Sequence, residues 1–164
     1  MKTQKLFVVA LLMSALLFGS CGQQRSAAYY DYKSKVIATE LDGSYTIRAW
    51  GRARNAIDAA EQAMKTAVYD VIFNEIDFAS GTAPTTTGTL RPLLLEVNAK
   101  EKYADYFNAF FAKGGDYKKY CSRKQERTLS TRYKKTEAQM QTQLTVVVYR
   151  AELRQRLIDD NILK

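Results

Sequence analysis

Histidine is missing from all 164 residues of the chain, and that absence removes a great deal of chemistry. Without imidazole there is no Ser-His-Asp or Cys-His nucleophilic arrangement and no histidine-built metal site. Cysteine is nearly absent too, at two residues, so a thiolate zinc cluster is excluded and one disulfide is the most that could form. Glycine-rich phosphate loops are lacking: neither GxxxxGK[ST] nor GxGxxG occurs. The single Gly51 ahead of a predicted helix is a weak hint of an anion site at most. Paired carboxylates are the catalytic chemistry that needs no histidine, as in glycan cleavage. The candidates Asp31, Asp42, Asp58, Glu61, Glu75, Asp77 and Glu96 are scattered, and none lies in a recognisable motif. No catalytic residue, metal site or cofactor is expected.

Residues 1–20 read as a targeting segment. Two lysines lie in the first five residues, Leu6 to Phe18 is apolar with a single serine, and the small pair Gly19-Ser20 precedes Cys21. That is the charged, apolar, small-residue order of a secretory signal. The apolar run falls short of the ~20 residues a bilayer-spanning helix needs. Leu16-Leu17-Phe18-Gly19-Ser20-Cys21 resembles the lipobox of bacterial, Bacteroidota-type outer-membrane lipoproteins. The resemblance implies that the Cys21 thiol carries a diacylglycerol and that its amine, the new N-terminus, carries a further acyl chain. One chain anchors weakly, at ~0.8 kcal/mol per buried CH₂, whereas several make the attachment effectively permanent. In such lipoproteins an aspartate after the cysteine favours the inner membrane, and an acidic cluster there favours surface export. Gly22-Gln23-Gln24-Arg25 follows here, so a periplasm-facing outer-membrane anchor is expected. The plainer alternative is an ordinary signal peptide with a coincidental cysteine. If Cys21 carries lipid, Cys121 has no intramolecular partner. Burial is then the expected state of this thiol, with an intermolecular crosslink as the alternative.

The formal charge is +8, from 25 Lys and Arg against 17 Asp and Glu, and loss of Lys2 and Lys5 with the signal leaves the chain basic. In a cytosolic protein such a balance would raise nucleic acid as a partner. The expected address argues for no nucleic acid, leaving acidic envelope polymers, anionic headgroups or plain solubility. Charge concentrates in 117–132, where Lys118, Lys119, Arg123, Lys124, Arg127 and Arg132 interleave with Tyr117 and Tyr120. This is the candidate anion-binding stretch. A solvated hairpin edge, where lysine and arginine block aggregation, accounts for the same residues.

A polar and tyrosine-rich tether, 21–34, leads into one domain, 35–164. Residues 35–50 predict a hairpin about Asp42-Gly43, a type I′ turn dipeptide. A two-residue loop there pairs Leu41 with Ser44, Ala38 with Ile47 and Val36 with Ala49. Val36, Ala38, Tyr45, Ile47 and Ala49 form the core face; Lys35, Thr39, Thr46 and Arg48, with Ile37, Leu41 and Trp50, form a mixed one. After a corner at Gly51, Asn55 caps a helix with Asp58 in its first turn. Ile57, Ala60, Met64, Ala67, Val68, Val71 and Ile72 form its stripe, widened by Ala53, Ala56, Ala59 and Ala63. Glu61 and Lys65 make an exposed pair on it.

Residues 79–89 are a Thr/Gly/Pro-rich loop. Residues 92–97 are a short apolar run, strand or helix. Asn98 with Glu101 predicts a capping box, opening a helix that carries Tyr103, Tyr106, Phe107, Phe110 and Phe111 and ends at Gly114-Gly115. The aromatics are core by their spacing, with a ligand groove as the alternative. Strands over 126–133 and 142–149 and a helix over 150–162 complete the chain. The expected fold is α+β: an antiparallel sheet of about four strands with two or three helices packed mainly on one face.

Ile47-Arg48-Ala49-Trp50-Gly51, the alanines from Ala56 to Ala67 and the segment 144–162 are similar to the flagellar-assembly-protein-T N-terminal domain and related small envelope lipoproteins. The likeness implies a non-enzymatic envelope scaffold and transfers no functional residue. The expected function is a lipid-anchored periplasmic adaptor or assembly factor with an envelope protein partner. A module for an anionic envelope polymer is the second reading, and a carboxylate-based hydrolase the third.

Overall fold

The computed structural model describes residues 32–81, 88–124, 132–135 and 140–163; the folded unit is Tyr32–Lys164. The signal, Cys21 and most of the tether lie outside the described residues. In chain order the elements are β1 (Lys35–Thr39), β2 (Tyr45–Ala53), α1 (Ala56–Phe73), β3 (Ile76–Phe78), β4 (Thr89–Leu90), α2 (Ala99–Lys102) and α3 (Ala104–Phe110). A 3-10 turn (Asp116–Tyr120), β5 (Cys121–Arg123), β6 (Arg132–Lys135), β7 (Met140–Val148) and α4 (Arg150–Asp159) follow.

β2 and β7, nine residues each, form the spine of the sheet. They pair antiparallel without interruption, from Tyr45 opposite Val148 to Ala53 opposite Met140. Opposed residues share a face, so Ile47, Ala49, Leu144 and Val146 point together into the core, all at most 1% exposed. The fold is α+β, but the sheet is larger than the sequence suggests. Among the described residues, seven strands run in the order β4-β3-β1-β2-β7-β5, with β6 also on β7. The sheet is mixed: β1 and β3 are parallel, Lys35 opposite Asp77 and Val36 opposite Phe78. β3, β4 and β5 have two or three residues each, too few for alternation to show in a sequence. Of the strand expected over 126–133, the described part belongs to β6.

The hairpin loop is one residue longer than expected. Gly43 N–H donates to the Glu40 carbonyl (3.1 Å) and Glu40 N–H to the Ser44 carbonyl (2.9 Å), leaving Leu41-Asp42-Gly43 as the loop. Gly43 takes φ +80°, the left-handed step that follows a type I turn in three-residue hairpins. Asp42 Oδ1 accepts from Ser44 N–H at 2.9 Å. A register shift between Val36 and Ala38 then sets Val36 opposite Ile47 rather than Ala49.

The cap of α1 is as read: Asn55 Oδ1 accepts from Asp58 N–H at 2.8 Å, and its amide nitrogen donates to the Asp58 carboxylate at 2.7 Å. The buried face is narrower than the expected stripe. It consists of Ala59, Ala63, Ala67, Val68, Val71 and Ile72, whereas Ile57 is 80% exposed. Gly51 is no corner. It lies within β2, beneath the helix, and a Cβ placed on it would stand 1.9 Å from the Ala59 carbonyl oxygen and 2.4 Å from Ala63 N. Helix and sheet touch backbone to backbone there, which only a glycine facing alanines allows.

At the other end of α1, Leu93 and Leu94 N–H groups donate to the Val71 and Ile72 carbonyls (3.0 and 2.9 Å). The run 92–97 is therefore neither strand nor helix; its buried leucines satisfy carbonyls the helix leaves open. Asn98 is not a side-chain cap: it adopts φ 63° and makes no such bond. Phe107, Phe110 and Tyr117, together with Leu153 and Leu157 of α4, join the core.

Candidate functional site

Three places bear on function. The first is the basic stretch. Lys118 and Lys119 lie on the 3-10 turn, Arg123 ends β5 and Lys124 follows it; Arg127 lies outside the described residues. Lys118 Nζ is 3.3 Å from Glu61, Lys119 Nζ 2.9 Å from Asp116, and Lys124 Nζ 3.0 Å from Glu40. Each of these lysines already faces a carboxylate of the chain. The effect shows in the acids. Hydrogen bonds from Lys124 and then Thr46 hold Glu40 below the usual carboxylate range, and the bond from Lys119 does the same for Asp116.

Glu61 is the most enclosed of these acids. It accepts from the Tyr117 hydroxyl at 2.8 Å, and that bond, ahead of Lys118, lowers its pKa. Burial, then the same carboxylate, pushes the Tyr117 hydroxyl well above its ordinary value. Glu61 thus turns to Tyr117 and Lys118, not to Lys65 as the helical spacing suggested. Directly below, Cys121 is buried as expected. Its thiol donates to the Tyr117 carbonyl at 3.5 Å, and burial raises its pKa to about 11. Such a thiol is inert at neutral pH.

The second place is the sheet face turned away from α1. Here Trp50 is half-buried between exposed Arg48 and Arg52. Tyr32 stands edge-on to Trp50, ring centroids 5.3 Å apart at 84°, and the Arg52 guanidinium lies 6.0 Å above the Tyr32 ring. With the Gln141 amide oriented to suit its neighbours, its oxygen accepts from Arg52 at 2.8 and 3.2 Å and its nitrogen donates to Tyr32 at 3.0 Å. One tyrosine of the leading segment therefore docks on the domain; Tyr29 and Tyr30 lie outside the described residues.

The third place is a cavity of about 510 Å³ between α1 and the α2–α3 segment. Tyr69 and Phe73 of α1 meet Phe107 and Phe111 along its wall, with Lys65 and Lys100 among its other lining residues. The core reading of the aromatic run holds for some of its members. Phe107 and Phe110 are 7% and 5% exposed and belong to the core, whereas Phe111 is half-buried at the groove. The α1 half of this groove was not picked out by sequence. The available signal was Tyr69 and Phe73 one helical turn apart, on the side away from the alanines.

Several of the scattered acids have local partners, and Asp31 lies outside the described residues. Asp58 sits in the α1 cap, and Glu96 meets Lys102 at 2.6 Å. Among the described residues, no group of three or more acid or thiol side chains could hold a metal ion, and no helix is long and apolar enough to cross a membrane. No protein-family model, characterised protein or solved structure matches the chain.

Proposed function

We propose that this protein is a lipid-anchored, periplasm-facing adaptor or assembly factor of the outer membrane that works through a protein contact rather than by catalysis. The observation that supports it is the face carrying Arg48, Trp50 and Arg52. Tryptophan, tyrosine and arginine are the residues that dominate binding energy at protein interfaces, and here one of each converges with a second arginine beside it. Tyr32, the first described residue of the tether, packs edge-on against this same patch. The likeness to envelope scaffold domains points the same way. The anionic-polymer reading draws less support, because Lys118, Lys119 and Lys124 are already matched with carboxylates.

Mild crosslinking of whole envelopes followed by pull-down tests this reading. The wild-type chain should return a stable protein partner, and a chain with Trp50→Ala and Arg52→Glu should lose it while keeping its far-UV circular dichroism. Recovery of a solitary monomer from wild type would overturn the adaptor. The anchor has its own test: labelled palmitate should enter the wild-type chain and not the Cys21→Ser variant. Charge reversal at Lys118, Lys119, Arg123 and Lys124 should leave retention on cell-wall material unchanged; a loss would favour the polymer instead.

A further inference from the structure

We propose that the groove between α1 and the α2–α3 segment binds a small amphiphilic anion, a flat apolar body bearing a single carboxylate or comparable group. The site is separate from the Trp50 face, and the inference stands without the adaptor reading. Its volume, about 510 Å³, lies within the range of small-molecule sites, roughly 300–1,000 Å³. That suits one fused ring system better than a protein surface.

The walls supply the apolar half of the recognition. Tyr69 and Phe111 have centroids 5.9 Å apart at 57°, and Phe73 and Phe107 4.7 Å apart at 69°. Rings so inclined touch edge to face, an arrangement aromatic pairs favour, and together the two pairs make the apolar wall of the groove.

The cations supply the polar half. Lys100 Nζ lies 4.9 Å from the Tyr69 centroid and 5.3 Å from that of Phe73. Its partners are ring faces. Lys102, Lys118, Lys119 and Lys124 each pair with a carboxylate, but neither Lys100 nor Lys65 has such a pair among the described residues. Lys65 lies over the Tyr117 ring at 5.3 Å and acts on Glu61 only at a distance. A cation over an aromatic face at an exposed site is held weakly. An arriving anionic group offers Lys100 a stronger, charge-assisted hydrogen bond, while the ligand body takes the ring faces the ammonium vacates. The same exchange explains why an uncharged body should bind less well: it would have to displace Lys100 without replacing its partner.

Naphthoate is the probe, titrated calorimetrically into the full-length chain, with naphthamide as the same body without charge and acetate as the charge without a body. Naphthoate should saturate one site with a dissociation constant below about 1 mM, naphthamide should bind about tenfold more weakly, and acetate should give no saturable heat. Lys100→Gln, an exposed substitution, should bring naphthoate down to the naphthamide level and leave naphthamide unchanged. Thr66→Trp, which fills the groove from α1, should abolish both, with circular dichroism confirming that the variant is folded. Absence of saturation by naphthoate, equal affinity for the two bodies, or indifference to Lys100→Gln would each overturn the proposal.

Discussion

Along the side of α1 that faces the sheet, Ala59, Ala63 and Ala67 recur one turn apart and are fully buried. Along the other side, Lys65, Tyr69 and Phe73 are far larger, yet they border an unfilled volume. The small side chains make the dense contact and the large ones make the hollow. The reason is distance. Alanines over Gly51 let two backbones meet, leaving no room even for a Cβ, and close approach is what dispersion contacts reward. On the other side the larger rings meet at their edges, and a groove remains beside them. A helix can thus be fastened by its least bulky face while its bulkiest face borders a groove.

Breaking the seam is the most damaging change this comparison predicts. Gly51→Val places a branched side chain where even a single Cβ stands 1.9 Å from the Ala59 carbonyl oxygen. Backbone cannot step aside as a flexible side chain can, so α1 must lift from β2 and β7. Overpacking of a core commonly costs 1–3 kcal/mol; with backbone as the obstacle, about 4 kcal/mol is expected, near the limit of what single substitutions do. Urea unfolding should show the midpoint fall sharply, or the variant should fail to fold. A near-normal midpoint would mean that the seam is not close-packed.

On the open side, Phe107→Ala should cost less, about 3 kcal/mol by the same measurement. Removing a buried phenylalanine typically costs 3–5 kcal/mol, depending on how far the surroundings collapse. The existing cavity gives Phe111 and Tyr69 room to relax, which argues for the lower end. The ratio of the two losses is the sharper result: if Phe107→Ala proves worse than Gly51→Val, the aromatic side, not the alanine seam, fastens α1.

The contrast between the two sides was only half legible in the sequence. Asn55 followed by Asp58 announces the helix start because a cap is a local event, settled within one turn. The alanine repeat is visible too, but its meaning depends on Gly51, which the chain presents simply as a glycine after a strand. That α1 folds back over it is a non-local fact, fixed by where β7 and the core place the helix. Asp42-Gly43 marks the turn, yet the register depends on whether Gly43 or its predecessor enters the left-handed region, and on a shift at Ile37 that no local pattern records. The aromatics of α3 are plain in the sequence; the groove needs Tyr69 and Phe73 from another element. Lys118 and Lys124 look like part of a free basic patch because the acids that meet them are remote, Lys124 and Glu40 being 84 positions apart.

Between the two sides of α1 sits a link that sharpens the comparison, the hydrogen bond from Tyr117 to Glu61. Tyr117→Phe keeps the ring and removes the donor, so about 1 kcal/mol should be lost at neutral pH, less than either packing change. The pH dependence identifies the cause. Glu61 is lowered in the fold from its ordinary 4.5, so its stabilisation is present above that value and is lost as pH falls through the lowered pKa. Tyr117 is raised from 10.0, so its share is complete below that value and is lost as pH rises towards the raised one. The difference between wild type and variant should therefore form a plateau from about pH 5 to about pH 10 and shrink on both flanks. A difference constant from pH 3 to pH 11 would assign the effect to packing instead.

The smallest effect is expected away from α1, at Lys124 and Glu40. Their side chains are 45% and 39% exposed, and ion pairs of that kind are screened by water and salt and offset by the entropy of holding two long side chains together. Lys124→Ala should leave the urea midpoint unchanged at low and at moderate salt. That outcome gives the zero against which the two sides of the helix are measured. It also bears on function: a lysine whose removal leaves the fold intact can be reversed in charge without ambiguity. Any loss of binding after that reversal then belongs to the lost charge. A clear fall in the midpoint would instead make the pair a structural strut, and charge reversal in this stretch would test stability as much as binding.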